Sequence, residues 1–439
     1  MSSAAPIDVV PAAPAAPAAR DIPDWMRVGL NVAVFVAFWN HLWLVDISDR
    51  SLLEASEGGS LGTQAIFVGL ALAMGAVLWR LGLGRFRALA TWPLLLCAGW
   101  LGLTVLTSVE PMLSIRRVLF LLITAFLAAG VLVVARDRRQ FAVTLAIGAA
   151  IILASCYLAV ALVPNLAVHS AFDVESDPSH PGLWRGIYPH KNMAGAGMVI
   201  LTIVGLYVAA VLSRFLGWLI AGAAAIFLLG TFSKTSLALL PIILAVTALC
   251  RLLTGRAIRA LLLVGPVLVL SVVSVGSIFL PPVQELLGML VPDASFTGRS
   301  EIWTFAVENI AQRPLIGWGY GAFWMTERTM YGSGLVSDWT HTANHAHNAY
   351  LDTALIMGLP GLAVTILALV LAPLRDLLRL AAGRDLDPTT LLFVRLWFFA
   401  LVTANFESAL YNGNDATCCM LMMSVFGLRL QMSHRMIAG

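Results

Sequence analysis

The chain is a succession of long apolar stretches separated by short polar or arginine-bearing connections. The stretches predict membrane-crossing helices over 26–46, 61–80, 89–107, 118–135, 141–163, 194–213, 215–231, 235–250, 260–280, 349–372, 389–408 and 416–432. Each approaches the length needed to cross a hydrocarbon core of about 30 Å. Two interruptions are longer, 164–193 and 281–348. Inside the second, 281–291 predicts an amphipathic helix lying along a membrane surface. The stretch 300–312 then sets Ile302, Trp303, Ala306, Val307 and Ile310 on one helical face, with Glu301, Glu308 and Gln312 elsewhere. The expected fold class is therefore all-α: a polytopic membrane protein of about twelve transmembrane helices with a large extracytoplasmic loop, about 281–348, containing amphipathic helices. Residues 1–24 are rich in Ala and Pro and lack an apolar targeting core, so they read as a disordered cytoplasmic tail ahead of one membrane domain, 25–439.

Composition agrees with this pattern. Hydrophobic residues make up 59% and charged residues 12% of the chain, a balance that excludes a soluble globule. The mean hydropathy is +0.87. Cys97, Cys156, Cys250, Cys418 and Cys419 fall in or beside apolar spans and read as small membrane hydrophobes, with no loop pair to form a disulfide. A net charge of +3 gives no electrostatic footprint for nucleic acid.

Positive charge marks cytoplasmic connections. Arg80, Arg85 and Arg87 follow the second span, Arg136, Arg138 and Arg139 the fourth, and Arg214 separates the sixth from the seventh. Arg251, Arg256 and Arg259 follow the eighth, and Arg375, Arg379 and Arg384 the tenth. This alternation predicts both termini cytoplasmic and the two long connections on the extracytoplasmic face. Arg395 alone is clearly internal to a span, where a long side chain can snorkel towards polar surroundings.

The same orientation sorts the reactive residues. Six of eight histidines, His169, His180, His190, His341, His345 and His347, lie in the two outer connections. Both lysines, Lys191 and Lys234, fall on the same side, as do Arg116, Arg117, Arg185, Arg299, Arg313 and Arg328. Singly, such cations can anchor lipid head groups. Together they predict an anionic ligand such as a diphosphate, which needs several converging donors. Gly317, Gly319 and Gly321 predict a tight backbone turn; no βαβ unit surrounds them, so a dinucleotide fingerprint is excluded. His345 and His347 stand at the entrance of the helix beginning near 349, where the positive dipole end disfavours imidazolium. Neutral imidazole suits a general base. The spacing of His341, His345 and His347 also admits zinc, or a structural cap, although no Cys and few acidic residues accompany them.

On these residues the sequence resembles the O-antigen ligase superfamily, which includes O-antigen polymerases and exopolysaccharide polymerases of the ExoQ type. The resemblance runs through Gly298-Arg299 to Trp303, the turn Arg313-Pro314-Leu315-Ile316-Gly317-Trp318-Gly319, and His347-Asn348 followed nine residues later by Gly358-x-x-Gly361. Ser108-Val109-Glu110-Pro111 with Arg116-Arg117, Tyr188-Pro189-His190-Lys191-Asn192 and Ser233-Lys234 add to it. It implies a metal-independent, inverting glycosyltransferase with no cofactor, acting at the periplasmic face. The implied donor is a glycan on undecaprenyl diphosphate, and the acceptor a second glycan or the lipid A-core. It implies His347 as the catalytic residue, with Arg299, Lys234, Arg116, Arg117, Arg185, His190, Lys191 and Asn348 binding the diphosphate or substrate, and no metal. Lys234 stands where many members carry Arg, keeping the charge without the bidentate fork. Tyr188 to Asn192 favours a polymerase of exopolysaccharide or O-antigen repeat units over a ligase. A glycolipid or solute transporter is the alternative of another class. It should show ionisable residues at mid-bilayer depth and broken spans in matching halves, and no internal repeat is visible.

Overall fold

A computed structural model describes residues 22–39, 61–170, 180–290, 299–324, 326, 343, 345–382 and 385–434. Among these residues the regular structure is helical, apart from one antiparallel bridge between Val168 and Trp184. The first seven principal helices are α1 (Asp24–Ala37), α2 (Leu61–Leu81), α3 (Trp92–Leu106), α4 (Pro111–Val134), α5 (Arg138–Leu162), α6 (Lys191–Val211) and α7 (Arg214–Thr231). They are followed by α8 (Lys234–Leu252), α9 (Arg256–Ser274), α10 (Pro281–Leu290) and α11 (Arg299–Gln312). The last three are α12 (Ala349–Leu380), α13 (Pro388–Thr403) and α14 (Ala416–His434). Nine helices among the described residues are long and apolar enough to cross a membrane, and α3 and α13 are shorter apolar helices. A helix meets each of the twelve predicted stretches, and the protein is a polytopic all-α membrane protein.

Two departures from the expected boundaries bear on the site. The fourth span starts at Pro111, not 118, because proline suits a first helical turn whose N–H groups have no partners. Arg116 and Arg117 therefore sit within α4, not in a connection. The span expected to reach 408 stops at Thr403, and 404–408 leaves the helix to make contacts described below.

Small residues let the central helices approach closely. A Cβ added at Gly217 would lie 2.1 Å from the Ala209 nitrogen, and one at Gly205 2.5 Å from that of Ala221, so α6 and α7 meet almost backbone to backbone. The buried faces of α6, α13 and α14 are mostly apolar, whereas large apolar side chains such as Leu72, Trp79, Leu261 and Val269 face outward. An outer surface of this kind requires lipid as its solvent. All five cysteines are free and buried, as expected of packing residues.

The arginine-bearing connections gather at one end. Arg136 pairs with Asp24 at 3.2 Å, Arg251 with Asp385 at 2.8 Å, and Arg429 with Asp376 at 3.6 Å while also donating to the Ala88 carbonyl. His169, His180, His190, His345, His347 and Lys234 lie at the opposite helix ends.

Candidate functional site

Placement of His347 begins with a break in α12. Gly358 has φ +71°, so the helix is interrupted there, and the turn carrying Gly317 (φ +64°) and Gly319 (φ +102°) packs into the break. The Trp318 and Gly319 nitrogens donate to the Leu355 and Ile356 carbonyls at 2.9 and 3.1 Å, and Leu359 N donates to the Pro314 carbonyl at 2.7 Å. A side chain at either contact would collide with backbone: a Cβ on Gly358 would lie 2.5 Å from Leu315 C, and one on Gly317 2.5 Å from Ile356 C. The expected tight turn is thus a plug that fixes α11 against α12. Buried Trp303 completes the brace by donating its indole N–H to the Ala346 carbonyl at 2.9 Å.

His345, Ala346 and His347 follow as a short approach to α12. Asn348 is the N-cap: its buried amide oxygen accepts from Tyr350 N and Leu351 N at 3.1 Å, and its amide N–H donates to the Asn405 carbonyl at 3.2 Å. His347 itself has φ +49°, a left-handed conformation costly for a residue with a Cβ. Buried Asp352 holds the approach by accepting from Ala346 N, from the Trp324 indole at 2.7 Å and from the Ser408 hydroxyl.

The segment 404–408 is the centre of the arrangement. Ala404 O accepts from Ala349 N at 2.8 Å, Asn405 O from Asn348, and Phe406 O from the Arg299 guanidinium at 3.0 Å. The Glu407 carboxylate then meets three side chains. Its Oε2 lies 3.2 Å from His347 Nδ1, and its Oε1 lies 3.6 Å from Arg299 and 3.5 Å from the Asn192 amide. Asn192 continues to Ser233, the N-cap of α8, at 3.5 Å, which brings Lys234 to the same end. The starts of α6, α8, α11 and α12 are thereby linked to one carboxylate, and the positive ends of their dipoles favour its ionised form.

Burial alone would raise the Glu407 carboxyl. The hydrogen bond from His347 and the fields of His347, His345 and Arg299 outweigh it and hold the group at about 2. An ionised Glu407 is an acceptor for a proton on His347 Nδ1, and in that tautomer Nε2 carries the free lone pair. His345 is pushed down to about 3 by burial first and by His347 and Arg299 after it, against the pull of Glu407. Its Nδ1 accepts from His347 N at 3.1 Å.

The remaining predicted residues divide. Arg117 donates to the Gly321 carbonyl, and Arg116 beside it is half-buried. Arg185 donates to the Leu166 carbonyl at 2.9 Å and to that of Pro189 at 3.5 Å. His190 caps α6 by accepting from Asn192 N, and its ring stands 5.3 Å from those of both His169 and His180. Lys191 N donates to His169 Nε2 at 3.2 Å. Burial, and then the neighbouring His169 and His180, hold His190 near 4. His341 and Arg328 lie outside the described residues.

Sequence reasoning missed Glu407 and Asp352. The stretch 349–357 and the run ending at 408 read as plain apolar helix, and the one signal was an acidic residue in each. Acidic residues are sparse around these histidines along the chain but not in space. His345, His347 and Glu407 bring one ligand atom each to within 4.8 Å of one another, so they could hold a metal ion. Arg299 on the same carboxylate opposes this by adding a cation.

The fold and site define a many-spanning helical membrane protein with a histidine–carboxylate–arginine cluster at one end. Residues 219–366 match the sequence model of the O-antigen ligase family, and this segment contains Lys234, Arg299, His347 and Asn348. The chain is also 31% identical over 152 residues to the exopolysaccharide production protein ExoQ of Rhizobium meliloti (strain 1021), an alignment covering 32% of this chain and 34% of that protein. The chain thus spans about a third of the curated relative it matches. The superfamily resemblance is shown on this central segment.

Proposed function

We propose that the protein is a membrane glycosyltransferase using a glycan carried on undecaprenyl diphosphate, and that it polymerises exopolysaccharide or O-antigen repeat units at the periplasmic face of a bacterial inner membrane, with both termini cytoplasmic. The observation that carries this reading is His347, whose Nδ1 is 3.2 Å from a carboxylate that also engages Arg299. His347 Nε2 takes the proton of the acceptor hydroxyl, Glu407 orients the ring and stabilises the imidazolium, and the acceptor oxygen displaces the diphosphate with inversion. Arg299, Lys234 and the converging helix starts stabilise charge on the departing diphosphate. The motif match across 219–366 and the likeness to ExoQ support a role in O-antigen or exopolysaccharide assembly. No metal enters this mechanism.

A deletion strain tests the assignment. Accumulation of single lipid-linked repeat units is the expected result. Retention of lipid-linked polymer with loss of lipopolysaccharide O-chains would instead identify a ligase acting on lipid A-core, and unchanged glycans would remove the assignment.

One observation favours a second reading. The clustered ligand atoms of His345, His347 and Glu407 suit a divalent transition metal. In that case chelation abolishes activity, whereas the base reading predicts full turnover in EDTA.

A further inference from the structure

The end of the bundle opposite His347 holds a charge that the proposed reaction does not use. Arg395 lies in the eighth position of α13, roughly 10 Å along the helix from its start at 1.5 Å per residue. A guanidinium at such depth in a span is costly unless partnered. Its Nε donates to Thr247 Oγ1 at 3.3 Å, and its terminal N–H groups make no hydrogen bond or ion pair with any described residue. Two carboxylates line the same cavity as Arg395, and both already have partners. Asp385 is clasped by Arg251 at 3.1 and 2.8 Å, and Asp387 caps α13 by accepting from Thr389 N and Thr390 N at 3.0 and 3.2 Å. Arg395 and Arg251 both line a cavity of ≈ 280 Å³ between α6, α8 and α13, larger than a phosphate group requires.

From this geometry we propose that the cavity is a phosphate-anion site occupied by the phosphodiester headgroup of an anionic membrane lipid. The arginine supplies forked donors that match phosphate oxygens. One wall is aliphatic, with Leu206, Ala210 and Leu391, and suits the glycerol and upper acyl carbons of a lipid. Free phosphate has no use for that wall. Basic pockets between spans at the arginine-rich end of a membrane protein take such headgroups.

The test is thermal unfolding of the purified full-length protein in detergent, with phosphatidylglycerol, phosphatidylcholine or inorganic phosphate added. Phosphatidylglycerol should raise the melting temperature by ~3 °C or more, and the other two should not. Arg395→Gln should abolish the response. Ala210→Trp, which keeps the arginine and narrows the cavity, should weaken it, and serves if the first variant does not fold. An equal response to phosphatidylcholine, a full response to inorganic phosphate alone, or an undiminished response in the variants would each overturn the proposal.

Discussion

His347 Nδ1 and Glu407 Oε2 are 3.2 Å apart although sixty positions separate them in sequence. The contact exists because α13 stops at Thr403 and lets 404–408 turn across the starts of α11 and α12. In Glu407→Gln the side chain keeps its size and an acceptor oxygen but loses the charge that stabilises the imidazolium. Transfer should fall by roughly 10²-fold or more at unchanged expression. A rate equal to the parent's would separate Glu407 from the chemistry.

Arg299 should matter in a different way. Arg299→Ala is expected to lose about 2–4 kcal/mol of transition-state stabilisation, seen as kcat/KM with lipid-linked donor. Because the same guanidinium holds Phe406 O, a modest drop in melting temperature should accompany it. Arg299→Lys should restore charge but not the fork, and recover activity only in part. Parent-like kcat/KM in Arg299→Ala would displace the diphosphate from this cluster.

The glycine plug makes a stability prediction. Gly358→Ala imposes a left-handed conformation and a Cβ 2.5 Å from Leu315 C. Strain of about 1–3 kcal/mol is expected, read as lower folded yield and melting temperature. Gly102→Ala in α3, where nothing lies within 4 Å, should be neutral. Equal behaviour of the two variants would argue against the plug.

Acid should loosen the site. His190, near 4, and His345, near 3, both lie below the ordinary 6.5, so the unfolded chain takes up these protons first. Their effect is absent above pH 6.5, and stability falls as pH drops from 6.5 towards 4. Glu407 adds stability above its unfolded value of about 4.5 and loses it as pH falls towards 2. Melting curves between pH 7 and 4.5 should therefore slope downward, and less steeply in His190→Gln. Parallel slopes would remove His190 as a contributor.

The helices were legible because a bilayer imposes one period and one length, and even the amphipathic pieces at 281–290 and 299–312 carry clear apolar faces. Arg299 and His347 were visible through motifs in a polar connection. Glu407 was not, because it follows an apolar run whose end is set by tertiary hydrogen bonds from Ala349, Asn348 and Arg299, none of them local. Arg117 shows the reverse. Its charge suggested a ligand, but its position inside α4 commits it to the Gly321 carbonyl.

The most direct measurement is turnover of lipid-linked donor by His347→Ala, with folding checked by melting temperature and with EDTA present in parallel. The expected result is a folded His347→Ala protein that binds donor and transfers ~10²–10⁴-fold more slowly, with the parent enzyme indifferent to EDTA. A folded His347→Ala protein with near-normal turnover would contradict it.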